Sequence, residues 1–165
     1  MNWLISESEF NLLSFGANGE FDMYDTVLDN GLICKTTARD LMFIHRFEFK
    51  INCPSCSVEH KIYSVGDDLW KCSVCLDKFT ITSKTFIDNT KLECYHWVRF
   101  AYLVGVLKIK NSTTIANDLQ VTQSTAYDML KRLRESIQYK EKKGVVSIEC
   151  KNMYEVLENI LTIKK

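Results

Sequence analysis

CPSCSVEHKIYSVGDDLWKCSVC, residues 53–75, is the stretch whose reading decides the fold. It carries two cysteine pairs, Cys53-x2-Cys56 and Cys72-x2-Cys75, with 15 residues between them. Each pair can close a tight knuckle whose amides point at sulfur. Two knuckles on adjacent hairpins put four thiolates at tetrahedral positions, which suits zinc (Zn2+). Four sulfur ligands fill the shell and leave no place for water or substrate, so the metal is expected to be structural. Buried free thiols are the plain alternative. A thioredoxin-like redox motif fits poorly, because two pairs occur and no βαβ pattern surrounds either one. His60, close after Cys56, is a lesser candidate ligand. Between and after the pairs, His60–Val65 and Leu69–Lys71 read as strands around a Gly66-Asp67 turn, and Phe79–Thr82 as a third strand.

Outward from this stretch, the composition is that of a folded protein. The 165 residues are 46% hydrophobic and 25% charged, with a formal net charge of zero. Any basic surface must therefore be local. No apolar run reaches the ~18 residues of a membrane span; the longest, Phe100–Leu107, is far too short. The opening MNWLISESEF lacks a basic stretch followed by an apolar one, so no secretory signal is expected. These features point to the cytoplasm, where thiols stay reduced. An odd count of seven cysteines fits that reading and argues against a disulfide framework. Cys34, Cys94 and Cys150 have no partner spacing and read as core thiols.

The expected architecture is α+β, in four parts: a helical cap over 1–50, a small antiparallel zinc ribbon over 51–90, a helix-turn-helix region over 91–140 and a strand-helix tail over 141–165. In the cap, Ser6 with Glu9 marks one helix start, and Thr36 or Thr37 opens a second helix over Ala38–Phe47, with Leu41, Ile44 and His45 on one side. Residues 91–108 read as an amphipathic helix with apolar Leu92, Tyr95, Val98, Phe100, Tyr102 and Val106. The tail holds a strand over Val145–Cys150 and a helix opened by Asn152 and Glu155. Its Met153, Val156, Leu157, Ile160 and Leu161 can pack on the core or pair with a second copy.

STTIANDLQVTQSTAYDMLKRLRE, residues 112–135, has the spacing of two helices joined by a tight turn, with Ile115, Leu119, Val121, Ala126 and Met129 inside. Small Ala116 permits close approach, and Thr122 is a good N-cap for the second helix. In a helix-turn-helix that second helix enters the major groove N-terminus first. The residues offered to double-stranded DNA would be Thr122, Gln123, Ser124 and Tyr127, followed by Lys131, Arg132 and Arg134. Lys108, Lys110, Lys140, Lys142 and Lys143 add local positive charge. Asp128 counts mildly against DNA, and an ordinary trihelical core with a solvated charged face is the bland reading.

The order of these parts resembles the zinc-ribbon insertion-sequence transposases, the ISXO-like group. The residues that carry the resemblance are Cys53, Pro54, Cys56, Cys72, Cys75, Phe79, Ser83, Thr85, Phe86, Leu92 and Trp97, then Ile115, Ala116, Leu119, Val121, Thr125, Ala126, Leu130, Arg132 and Arg134. They span about residues 37–138. Lys84 stands where the family carries glycine, a departure that bears on the turn leaving the ribbon. In the family a nuclease domain follows, with three carboxylates holding two metal ions. Here Glu149 and Cys150 align with the start of its first catalytic strand, sixteen residues follow Glu149, and no aspartate lies beyond Arg134. The resemblance therefore implies the DNA-recognition half without the nuclease.

On this reading the chain is not an enzyme, and His45, His60 and His96 have no catalytic partners at diagnostic spacing. The expected function is sequence-specific DNA binding, as a transcriptional or mobile-element regulator, by a monomer or homodimer, with no membrane and no small-molecule substrate. The alternatives are a zinc-dependent protein-protein interaction module and a truncated transposase subunit that takes its nuclease domain in trans.

Overall fold

The structure, a computed structural model, describes residues 35–48, 50–144 and 150–164. The helix expected at Ser6–Glu9 lies outside these residues, as does the strand expected over 145–150 except for Cys150. The fold is α+β: five helices and one small antiparallel sheet among the described residues.

Helix α1 spans Lys35–Phe47. Its buried positions are Ala38, Leu41, Met42 and Phe47, so the inward stripe runs through Met42 rather than Ile44, which is half-buried. The sheet follows, with strands β1 (Ile62–Gly66), β2 (Leu69–Cys72) and β3 (Lys78–Phe79) in the order β1-β2-β3. Tyr63 pairs with Lys71 and Ser64 with Trp70; a bulge then shifts the register so that Gly66 faces Leu69. The turn is Asp67-Asp68, with Asp68 left-handed at φ 57°, a conformation that aspartate tolerates better than most residues. Trp70 opposes Phe79, and Lys71 opposes Lys78. Period-two alternation buries Trp70 and Cys72 and turns the lysines the other way. Phe43, Phe47, Trp70 and Phe79 form one aromatic cluster, with centroids 5.3–6.4 Å apart, that docks α1 on the sheet.

The third strand is shorter than expected. Beyond Phe79 the chain turns, because Ser83 Oγ accepts the Thr80 N–H at 2.8 Å and Thr85 Oγ1 donates to the Thr82 carbonyl at 2.6 Å. Hydroxyls here satisfy backbone groups that a ladder would otherwise need. Lys84, where a glycine was expected by resemblance, is left-handed at φ 60°. The turn thus keeps a glycine-like conformation with a lysine in it. Thr85 bridges to Ile163, and the Phe86 N–H donates to the Ile160 carbonyl at 3.1 Å, so this segment pairs with the C-terminal tail.

Helix α2 spans Cys94–Gly105, shorter than the expected 91–108. Leu92 and Val106 fall outside it. Thr90 Oγ1 accepts from Leu92 N–H and from Trp97 Nε1, which fixes the approach to its start. Every residue from Phe100 to Gly105 is buried, so its second half is enclosed all round rather than amphipathic. It contacts α1 and both of the next two packing partners, α3 (Ser112–Leu119) and α5 (Met153–Ile160). Between α3 and α5 runs α4, Gln123–Lys142.

Helix α5 is core. Met153, Val156, Leu157, Ile160 and Leu161 are all buried against this chain's own helices, so that face is not free for a second copy. Full burial of such side chains stabilises by about 1.5–3 kcal/mol each. Asn152 Oδ1 caps α5 by accepting the Glu155 N–H at 3.0 Å. The Glu155 carboxylate reaches back to the Lys151 N–H at 2.6 Å, one residue before the N-cap that a capping box would use.

Candidate metal centre and the exposed face of α4

Cys53, Cys56, Cys72 and Cys75 come together, with all four sulfurs within 4.8 Å of one another. Cys53 Sγ lies 3.5 Å from Cys75 Sγ, and Cys56 Sγ lies 3.7 Å from Cys72 Sγ. A tetrahedral metal with thiolates at ~2.3 Å sets its sulfurs about 3.8 Å apart, so the four could hold a metal ion. His60 is exposed and is not in the group.

The two knuckles are built alike. The Cys53 N–H donates to the Val58 carbonyl and the Cys72 N–H to the Asp77 carbonyl, both at 3.0 Å. The Ser55 N–H points at Cys53 Sγ and the Val74 N–H at Cys72 Sγ, both at 3.4 Å. Ser57 (φ 61°) and Leu76 (φ 62°) are left-handed at equivalent positions, one past the second cysteine. A side tie joins the knuckles: Ser55 Oγ donates to the Asp77 carboxylate, and Lys84 Nζ donates to Ser55 Oγ at 2.7 Å and lies 3.7 Å from Asp77. Lysine at 84 thus links both knuckles to the turn that follows.

The four thiols perturb one another's ionisation. The Cys75 amide, with that of Val74, holds the Cys72 thiol down to about 7 against desolvation. At Cys75 the Asp77 amide favours the thiolate, but desolvation and the three other sulfurs outweigh it and push the thiol up to about 12. Desolvation opposes ionisation of Cys53, yet the Cys56 and Ser55 amides overcome it and lower the thiol. Cys56 is raised: the Val58 amide helps, but desolvation and the Cys53 and Cys72 sulfurs prevail. In each knuckle the first thiol is lowered and the second raised, because negative charges accumulate in one small volume. A dication among them removes that repulsion. Cys94 lies outside this set; burial pushes its thiol up to about 11, in keeping with an inert thiol. Cys150 is half-buried and meets Asn159 Nδ2 at 3.4 Å, and Cys34 lies outside the described residues.

The second group of expected site residues lies on α4. Gln120 turns left-handed at φ 54° after α3, and Thr122 Oγ1 caps α4 by accepting the Thr125 N–H at 3.2 Å. Ala126, Met129, Leu130, Leu133 and Ser136 face the core. The opposite stripe exposes Ser124, Tyr127, Lys131 and Arg134, with Tyr127 55% exposed. Gln123 is exposed, and its Nε2 donates to Thr113 Oγ1 at 3.1 Å. Arg132 sits apart from this stripe. It is half-buried, and its Nη1 donates to the Phe86 and Asp88 carbonyls at 3.0 and 3.1 Å, so it docks α4 on the segment leaving the sheet. Lys108 likewise has an internal role: its Nζ donates to the carbonyls of Gly105, Cys150 and Lys151 at 2.5, 3.0 and 2.7 Å. It caps the negative end of α2 and ties down the approach to α5. Sequence spacing alone does not separate such cations from outward ones, because both lie in equally basic surroundings.

No family model, no curated protein and no solved structure matches this chain.

Proposed function

We propose that this protein binds double-stranded DNA sequence-specifically through the exposed stripe of α4, on a scaffold whose sheet is held by zinc in the four cysteines. The observation that carries the reading is the stripe itself. Ser124, Tyr127, Lys131 and Arg134 follow one another at helical spacing from a capped N-terminus, and the two cations have no ion-pair partner among the described residues. Such a helix, braced by a second helix across a three-residue connection, is the element a helix-turn-helix lays in the major groove. Gln123 and Ser124 sit where base edges would be reached, and Lys131 and Arg134 where phosphates would lie. Arg132 has no part in this contact. The resemblance to the recognition half of ISXO-like transposases supports the same reading.

Zinc is the metal of choice for a closed set of four thiolates, with iron the other metal of that geometry. Bound there it supplies folding energy to a sheet with a small core of its own. A second reading, a protein-protein interaction module, is favoured by Val74 and Leu76, apolar residues 51% and 65% exposed on the second knuckle.

The test is binding of the full chain to duplexes selected from a random pool, followed across a salt series. Specific binding whose logarithm falls by about one per phosphate-contacting cation per decade of salt supports the DNA reading. A flat salt response, or no enrichment of any sequence, overturns it.

A further inference from the structure

Among the described residues, the outer face of the sheet carries a row of side chains that take part in no hydrogen bond, ion pair or ring contact. Tyr63, Lys71 and Lys78 lie directly opposite one another across β1, β2 and β3, so all three project from one face. That face is the one away from Trp70 and Phe79, which are buried against α1. Tyr63 is 47% exposed and makes no ring or cation contact among the described residues. Lys61, just before β1, is exposed as well.

Like charges directly opposite in a sheet destabilise it, yet Lys71 opposes Lys78 with no carboxylate paired to either among the described residues. Asp77, next in sequence to Lys78, is taken by Ser55 and Lys84, and Asp68 by Arg39. Lysines do protect sheet edges from pairing. That accounts for Lys78 on an edge strand but not for Lys71, which is on the central one. An uncompensated lysine pair beside an open aromatic ring has the chemistry of a polyanion site that also offers a stacking platform.

We propose that this sheet face binds single-stranded nucleic acid, with a base stacked on Tyr63 and the neighbouring phosphates held by Lys71, Lys78 and Lys61. Lysines alone would suit a duplex equally. The ring decides the occupant, because bases in a duplex are stacked on each other and only unpaired bases can lie on a side chain. This surface is separate from the α4 stripe and does not depend on the duplex-binding reading.

The test uses the full metal-loaded chain and fluorescein-labelled 12-nucleotide oligo(dT) and oligo(rU), measured by anisotropy. Tighter binding of one or the other identifies DNA or RNA. Tyr63→Ala is expected to weaken binding about tenfold or more, with Tyr63→Phe close to the parent. Lys71→Ala with Lys78→Ala should weaken binding and flatten its salt dependence. Lys131→Ala with Arg134→Ala should leave it intact. Retained metal content and circular dichroism show that each variant folds. The proposal is overturned if neither oligonucleotide binds, if Tyr63→Ala binds as the parent does, or if base-free polyphosphate competes as well as the oligonucleotides. Loss of binding in the α4 double variant but not in the sheet variants also overturns it.

Discussion

Gly105 meets the backbone of Asn152 so closely that a Cβ on Gly105 would lie 2.6 Å from the Asn152 carbonyl carbon and oxygen, and as near to the Met153 nitrogen. The end of α2 and the start of α5 touch backbone to backbone. Alanine in place of a helical glycine ordinarily stabilises by about 0.5–1 kcal/mol. Here the obstacle is main chain and cannot swing aside. Gly105→Ala is expected to destabilise by about 1–3 kcal/mol in urea unfolding; a more stable variant would show that the contact is not rigid.

Replacing Cys72 with serine removes one of four sulfurs. The variant is expected to lose its metal and the order of the sheet together, as should the parent on chelation. Cys94→Ser and Cys150→Ser should keep a full equivalent of metal. Elemental analysis of purified protein checks this and identifies the metal; a colourless, zinc-containing protein is expected, because zinc has no partly filled d shell.

Leu76 spends its left-handed conformation on an exposed apolar side chain. Leu76→Gly should relieve that strain and stabilise the metal-bound form by about 0.5–1 kcal/mol. Thermal unfolding with saturating metal would register it as a rise in Tm. A fall would mean that the leucine has contacts worth more than the strain.

Arg132 and Arg134 should separate fold from binding. Arg132→Ala deletes two bonds from a charged donor to the Phe86 and Asp88 carbonyls, an expected loss of about 1.5–3 kcal/mol. Arg134→Ala, on the exposed stripe, should change stability by no more than about 0.5 kcal/mol while weakening duplex binding. Paired unfolding and binding titrations would reveal a reversal of the two roles.

His45 is packed against the Tyr154 ring at 5.0 Å, and burial lowers its pKa from 6.5, partly offset by Glu158. Because the folded form holds the imidazole neutral, the unfolded chain binds more protons just below pH 6.5. Stability is therefore full above that pH and falls as pH drops through the unfolded value toward the folded one. His45→Phe should reduce the loss of stability between pH 7.5 and pH 5 in denaturant titrations. Identical pH curves for parent and variant would remove His45 as a source.

The cysteine spacing, the strand through Trp70 and the N-caps at Thr122 and Asn152 were legible in the sequence, because each depends on residues a few positions apart. The same holds for the inward face of α5, which its own period declares. Local pattern misplaced the end of β3, since Thr80 to Thr82 have strand-like side chains, yet Ser83 and Thr85 hydroxyls claim their backbone. The resemblance marked Lys84 as a departure from a glycine; in the fold Lys84 is left-handed and its ammonium reaches Ser55, 29 residues away.

By itself, then, the sequence determined which residues gather at the sulfur cluster and which stripes of α3, α4 and α5 turn inward, because covalent spacing and helical period are short-range properties; it did not place the inward stripe of α1 or the full enclosure of α2. Only the tertiary structure decided what each cation does. Arg132 is spent on carbonyls 44 and 46 residues away and Lys108 on carbonyls up to 43 residues away, while Lys71, Lys78, Lys131 and Arg134 remain turned outward. Basic residues look alike along a chain; their roles depend on which distant backbone oxygens the fold brings within reach.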